Sequence, residues 1–520
     1  MLRKSYLTPV FFFLFTFVIF NINLRAIPSG DTIPTSLLPF SIIIDHSITL
    51  DRFQGWYDKN YPFKQYFFIT HKDHVYSNYP TVLPIIVTPL YVPVIFSLNI
   101  MDWPVNEIIS FSSIMEKSVA SLIASLSAVA FFLLLIKITS RGKAFLLTLI
   151  YAFGTETWSI SSQALWQHGG SELMIIVSLF YLRLALEDQK RLNIILAGLF
   201  AGLSVAIRPA DIFFLIASYG YILVSKRGKL HYFYYIIFPL IIGIIVISYN
   251  YLIFNNIFGG YSEHVGISPL IFNIPKYPCQ FLLFCFSFFL ILVYILIWPR
   301  KSRTSINIIR KKSKVYYSLF AIVVILGVTA FKFNANGVNI LSIWDSFLAG
   351  LIGVLISPSR GLFIYSPVFI FVLLGIYMRF RQGQIFSEPI FDVSLGFVVL
   401  HILLISRWFS WYGGYCYGPR MLTDIVPCLV ILLIPGLSFI FRLPWLKTLF
   451  AVTFALSIAV QTVGVFCYEI SQESWDGSPI SVEADKSRLW DWKDNQIMRT
   501  ISEGPKTEPY RKLLSDFYHN

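Results

Sequence analysis

Charge is scarce in this chain. Asp, Glu, Lys and Arg together make 13% of its 520 residues, against roughly one quarter in a soluble domain. Hydrophobic residues fill the gap at 56%, so lipid rather than water is the main solvent expected for most of the chain. Cysteine is scarce too: Cys279, Cys285, Cys416, Cys428 and Cys467 are the five. They lie in or beside apolar runs without metal-ligand spacing, which excludes a disulfide framework and reads as small apolar packing. No G-x-x-x-x-G-K-[ST] loop occurs, so an ATP-driven pump has no support. The H-E-x-x-H and G-x-S-x-G signatures of metalloproteases and serine hydrolases are also missing. Internal repeats, low-complexity tracts and long Gly/Ser linkers are absent.

The charge that is present is mostly positive, +13 in net, and its distribution argues against a nucleic-acid ligand. It falls in short clusters between apolar runs: Lys137/Arg141/Lys143, Lys190/Arg191, Lys226/Arg227/Lys229, Arg300 to Lys314, Arg379/Arg381 and Arg442/Lys447. Cytoplasmic loops carry such clusters. A membrane-crossing helix needs about 20 apolar residues, and on that measure spans fall near 8–26, 116–137, 143–161, 169–186, 192–207, 212–225, 231–254, 279–298, 317–333, 361–379, 388–407, 420–441 and 446–467. The pair over 192–225 is short and reads equally as one broken hairpin around Arg208-Pro209. Thirteen spans with the N-terminus inside put every basic cluster in the cytoplasm.

The expectation is therefore an all-α integral membrane protein of about 13 transmembrane helices with a long extracytoplasmic first loop. Residues 1–467 form the polytopic domain, 27–115 its first outer loop, and 468–520 an extracytoplasmic tail. The same count places 255–278, 334–360 and 408–419 outside. The first apolar run follows Arg3 and Lys4 without a small-x-small cleavage site, which favours a retained anchor helix in the inner (plasma) membrane. Residues 79–100 are apolar enough for a span, but Pro80, Pro84, Pro89 and Pro93 predict a non-helical stretch on the outer surface. Trp475, Trp490 and Trp492 predict a tail lying against the membrane interface.

Five polar groupings stand at expected outer helix ends. Asp31, in Ser29-Gly30-Asp31-Thr32, is placed to serve as general base or divalent-metal ligand; the same residues also make a good turn or helix N-cap. The stretch Trp408 to Arg420 joins glycines to the aromatic surfaces of Trp411, Tyr412 and Tyr417 and ends in an arginine suited to bidentate phosphate binding. Snorkelling in an aromatic belt is its plainer reading. Ser357-Pro358-Ser359-Arg360-Gly361 presents a second arginine in a turn. Arg208-Pro209-Ala210-Asp211 presents a third, with a local Arg208–Asp211 ion pair as the alternative. His168, in Trp166-Gln167-His168-Gly169-Gly170, is an acid/base group or a structural histidine. His71, His74 and Asp73 fit no standard zinc spacing with Asp31.

On this plan the chain resembles the GT-C type glycosyltransferases, which use polyprenyl-phosphate-linked sugars and include the protein mannosyltransferases and the lipid A aminoarabinose transferases. The resemblance rests on a first helix, a long outer loop opening with an acid, and functional residues at outer helix ends. Asp31 matches the loop-opening acid, and Tyr76 to Pro80, with Tyr79, resembles the surface segment later in that loop. GGYCYGPR and SPSRGL look like features of uncharacterised bacterial members. The resemblance implies a polyprenyl-phosphate sugar donor, an extracytoplasmic glycan, lipid or protein acceptor, and surrounding membrane lipids. It implies Asp31 and His168 as catalytic residues, Arg420, Arg360 and Arg208 on the donor phosphate, and Tyr79, Trp411, Tyr412 and Tyr417 along the substrate. No cofactor follows beyond a divalent cation (Mg or Mn). The family often pairs its acid with Glu, whereas Thr32 follows Asp31 here, which leaves Asp45 and Asp51 as alternative bases. Rival readings are a transporter or lipid flippase, an envelope-polymer ligase, and a non-catalytic scaffold.

Overall fold

Apolar runs become helices here, and the polar or proline-bearing residues between them decide where each one stops. The computed structural model describes residues 3–61, 66–224, 229–257, 259–260, 340–382 and 388–506. Its helices are α1 (Arg3–Asn21), α2 (Ile33–Ile44), α3 (Gln54–Asn60), α4 (Val82–Ser97), α5 (Val105–Ile138), α6 (Arg141–Phe153), α7 (Gln167–Asp188), α8 (Arg191–Ile207), α9 (Ile212–Val224) and α10 (Lys229–Phe254). After residue 340 come α11 (Ile340–Ile356), α12 (Ile370–Arg381), α13 (Pro389–Arg407), α14 (Val426–Ile440), α15 (Pro444–Phe466) and α16 (Gln496–Glu503).

Among the described residues, six helical segments are long and apolar enough to cross a membrane: Val105–Ile138, Gln167–Asp188, Phe233–Phe254, Pro389–Arg407, Arg420–Ile440 and Pro444–Phe466. The chain is a largely helical membrane protein. The spans expected at 279–298 and 317–333, and the cluster Arg300 to Lys314, lie outside the described residues. So do Cys279, Cys285 and residues 507–520. Close backbone contact holds neighbouring helices together. A Cβ on Gly198 would lie 1.9 Å from the Tyr235 carbonyl oxygen, and one on Gly202 2.8 Å from Pro239 Cα. Only residues without a side chain let α8 and α10 approach this far.

The proline-rich run at 79–100 corrects the expectation drawn from it, because it forms α4. Leu83, Val87, Tyr91 and Ile95, one every fourth residue, are buried, and Tyr91 meets Phe40 of α2 edge-on at 5.4 Å. Pro84 sits in the first turn, where no intrahelical donor is required. Pro89 and Pro93 lie four apart, so only the Ile85 and Pro89 carbonyls lose their donors. Burial of the apolar stripe outweighs that loss. At 16 residues α4 is about 24 Å long, short of the roughly 30 Å hydrocarbon core.

Other boundaries move for equally local reasons. The helix expected over 143–161 ends at Phe153, and a buried irregular segment with a π-helical turn at Thr157–Ser161 follows. Hydroxyls there donate to backbone acceptors, Thr155 Oγ1 to Tyr151 O at 2.6 Å and Ser162 Oγ to Trp158 O at 2.7 Å, which competes with continued helix. The outer connection expected over 334–360 instead contains α11, which packs on α13 where a Cβ on Gly350 would fall 2.1 Å from Ser406 O. The span expected over 361–379 is broken at Ser366-Pro367.

The described part of segment 27–115 is a folded layer, and it departs from an all-α plan. Strands β1 (Phe68–His71) and β2 (His74–Ser77) pair antiparallel, and their turn residues Lys72 and Asp73 both take positive φ, as a two-residue type I′ turn requires. Phe40, Phe53, Phe67, Val75, Leu83 and Tyr91 share one apolar core within this layer. The tail is also folded inward: Trp475 is 1% exposed, whereas Trp490 and Trp492 keep outward faces. Burial of Trp475 departs from the interfacial placement expected of all three.

Candidate active site

Asp31 and Arg420, 389 positions apart in sequence, touch. Arg420 Nη1 donates to Asp31 Oδ2 at 2.6 Å, with the two side chains 12% and 17% exposed. The turn Ser29 to Thr32 is closed by Thr32 N to Ser29 O at 2.9 Å, and α2 starts at Ile33 with no side-chain cap. Asp31 is thus not used as an N-cap, and its carboxylate turns to other partners. Tyr66 and Tyr79 both donate to Asp31 Oδ1, at 2.8 Å and 2.5 Å. Burial works to raise the Asp31 carboxyl, but the Arg420 charge and the hydrogen bonds from Tyr79, Arg420 and Tyr66 outweigh it and hold it below its ordinary range. Burial, followed by the charge of Asp31, pushes the Tyr66 hydroxyl up and keeps it a donor.

Arg420 is held at three points and left open at others. Its guanidinium lies 4.2 Å over the Trp166 ring, a favourable cation–π distance, and Nη2 donates to Gly413 O at 2.7 Å. Nε has no partner. The loop that delivers it bends through Gly413, Gly414 and Gly418, all at positive φ. At Gly418 glycine is required twice over, since a Cβ would also meet the Tyr365 ring at 2.5 Å. The tail contributes Glu483, whose Oε1 would be 3.4 Å from a Cβ on Gly414. Burial, then the charges of Asp31 and Asp476, raises its carboxyl.

Arg360 stands apart from this pair. It is 1% exposed, and all five of its N–H donors have partners. Nε donates to Tyr412 O at 2.8 Å, Nη1 to Ser359 O at 2.7 Å and Gln496 Oε1 at 2.8 Å, and Nη2 to Gly414 O at 3.0 Å and Asp476 Oδ1 at 2.6 Å. Trp475 stacks on it at 5.3 Å. No donor is left for a phosphate, so Arg360 fastens the tail to the 408–420 loop.

Arg208 and His168 meet in a second, sealed cluster. His168 Nδ1 lies 3.0 Å from Asp424 Oδ1, and Arg208 Nη1 donates to His168 Nε2 at 3.0 Å. Arg208 Nε approaches Asp424 Oδ2 at 2.5 Å, an ion pair without hydrogen-bond alignment, because neither atom has a hydrogen-bond partner. Arg208 therefore pairs with Asp424 and not with Asp211, whose Oδ2 accepts from Ser171 Oγ. Both ring nitrogens of His168 are engaged inside this cluster.

The aromatic residues divide in the same way. Tyr79 belongs to the Asp31 site. Trp411, Tyr412 and Tyr417 are buried: Trp411 lies against Gly353, and Tyr417 donates to Val460 O at 2.8 Å while packing on Tyr365 and Tyr468. Asp45 is taken by Arg52 at 2.5 Å, and Asp51 by His74 and the Val75 amide, both at 2.7 Å. Among the described residues Asp31 belongs to no group of ligands able to hold a metal; Asp211, His401 and Asp424 form such a group. Sequence reasoning missed Tyr66, Glu483, Asp476, Gln496, His401 and Asp424 as members of these clusters. His401 and Asp424, isolated polar residues in apolar runs, were the readable signal.

No protein-family model matches the chain, and no curated protein does. Among solved structures it is similar to the archaeal oligosaccharyltransferase AglB from Archaeoglobus fulgidus, in complex with an inhibitory peptide and a dolichol-phosphate, with 12% identity and a TM-score of 0.45. The match covers 95% of this chain and 61% of that one, so this chain spans less than two thirds of its length. At that likeness no activity transfers.

Proposed function

We propose that the protein is a membrane glycosyltransferase that moves a sugar from a polyprenyl-phosphate donor to an acceptor on the extracytoplasmic face. The reading rests on the direct Asp31–Arg420 contact, beside a phenol pair and an indole surface. The donor phosphate takes over Nη1 of Arg420, which releases Asp31. The acceptor hydroxyl gives its proton to Asp31 and its oxygen bonds to the anomeric carbon. The bond from that carbon to the phosphate oxygen breaks, and polyprenyl phosphate leaves with its added charge on Arg420, in surroundings where a fixed cation is worth more than in water. Tyr66 and Tyr79 keep Asp31 ionised and aimed.

One observation favours a transporter instead: charged and ionisable side chains lie buried among the helices at Arg208, Asp211, His401 and Asp424. The test is incubation of purified protein with a panel of polyprenyl-phosphate sugars, followed by assay for released polyprenyl phosphate. Turnover with at least one donor, abolished by Asp31→Asn in a protein that still inserts and melts as the native one does, is the expected result. No release from any donor supports the transporter, and an active Asp31→Asn removes Asp31 as base.

A further inference from the structure

We infer that Asp211, His401 and Asp424 bind a divalent transition-metal cation, Zn2+ or Mn2+, within the helical interior. Asp211 closes the turn before α9, His401 lies on α13, and Asp424 sits in the 3-10 turn Arg420–Ile425. One ligand atom from each lies within 4.8 Å of the other two, and all three residues are fully buried. Small side-chain adjustments bring such atoms to the roughly 2.0–2.2 Å bonds of zinc to nitrogen and oxygen.

A second observation points to a ligand. Asp211 Oδ1 and His401 Nδ1 are each buried without a hydrogen-bond partner, and Asp424 Oδ2 has only its ion pair with Arg208 Nε. The complementary atoms are engaged: Ser171 Oγ donates to Asp211 Oδ2, His168 Nδ1 to Asp424 Oδ1, and His401 Nε2 to Met421 O at 2.9 Å. The last bond fixes the His401 proton on Nε2 and leaves the Nδ1 lone pair open, as metal-binding histidines are arranged by a backbone acceptor.

The charge count agrees. Among the groups in direct contact, two carboxylates face one guanidinium, that of Arg208, and the two imidazoles are neutral by their hydrogen bonds, so one negative charge is left without a contacting cation. A proton on Asp211 Oδ1 cancels that charge but leaves His401 Nδ1 orphaned. A cation satisfies Asp211 Oδ1 and His401 Nδ1 together and shares Asp424 Oδ2 with Arg208. An imidazole beside two carboxylates suits Zn2+ or Mn2+ better than Ca2+ or Mg2+, which take oxygen ligands. Bound there, the ion ties α9 and α13 to the turn that carries Arg420. The site shares no residue with the Asp31–Arg420 pair and does not depend on the glycosyltransferase reading.

The test uses full-length protein, stripped with chelator, given Zn2+ or Mn2+ alone, desalted, and measured for retained metal and thermal midpoint. About one ion per chain and a raised midpoint are expected, because an ion that binds only the folded state stabilises it. Asp211→Asn and His401→Gln should retain at least about tenfold less, while Asp31→Asn retains the native amount. Native protein that holds neither ion and melts unchanged overturns the site, whether or not the variants fold. Loss of the ion in Asp31→Asn, with retention in the other two, overturns it as well.

Discussion

Arg420 and Arg360 look alike in sequence, each set in a glycine- and proline-bearing turn, yet the fold uses them in opposite ways. Arg360 has five donors satisfied, a stacked indole and a buried carboxylate from the tail. Arg420 has one carboxylate, one carbonyl and an indole face, with Nε unpartnered. An arginine whose N–H groups are all bonded inside the protein is a fastener. One that keeps donors in reserve, paired to a carboxylate near the surface, can exchange that partner for a phosphate. Turn composition does not separate the two cases, because the deciding partners come from distant segments of the chain.

The contrast can be tested from both ends. Arg420→Lys keeps the charge but loses the fork, and transfer should drop by about 10²–10³, the usual cost of losing one transition-state anion contact. Its thermal midpoint should hardly move; an equal loss of stability would make Arg420 a second fastener. Arg360→Ala should show the reverse, a destabilisation of about 3–5 kcal/mol from leaving Asp476 buried and unpaired, read by denaturant unfolding. Protein that folds with native stability and loses only donor affinity would return Arg360 to the substrate.

Smaller effects probe the carboxylate. Tyr79→Phe removes a hydrogen bond to a charged group, worth about 1.5–3 kcal/mol, and transfer should fall roughly tenfold or more. The pH profile gives the sign. Asp31 is held below its ordinary value, so native activity should persist as pH falls to below about 3.9. The stability from this depressed group is present above its unfolded value and is lost as pH falls through the folded one. Tyr79→Phe should move the acid limb to higher pH; an unmoved limb would detach Tyr79 from Asp31. Least affected should be Tyr417→Phe, which loses the Val460 bond at about 0.5–1.5 kcal/mol without changing donor affinity.

Long uninterrupted apolar runs were legible: the spans read at 388–407 and 446–467 correspond to Pro389–Arg407 and Pro444–Phe466. Where polar side chains or glycines carry the packing, reading failed. α11 hides behind Gly350 and Gly353, and α4 behind prolines whose spacing spares most of the helix ladder. Asp31 and Arg420 each carried a local signal, an acid in a turn and an arginine after glycines. Their contact carried none, since no local pattern reports a meeting across 389 positions. The Asp211, His401 and Asp424 grouping was invisible for the same reason, three single polar residues on three separate elements.

The most direct test is the affinity of purified protein for polyprenyl phosphate alone, measured for native, Asp31→Asn and Arg420→Lys. If phosphate takes Arg420 from Asp31, removing the competing carboxylate should tighten binding in Asp31→Asn, and Arg420→Lys should weaken it. Weaker binding in Asp31→Asn, or native affinity in Arg420→Lys, contradicts the exchange.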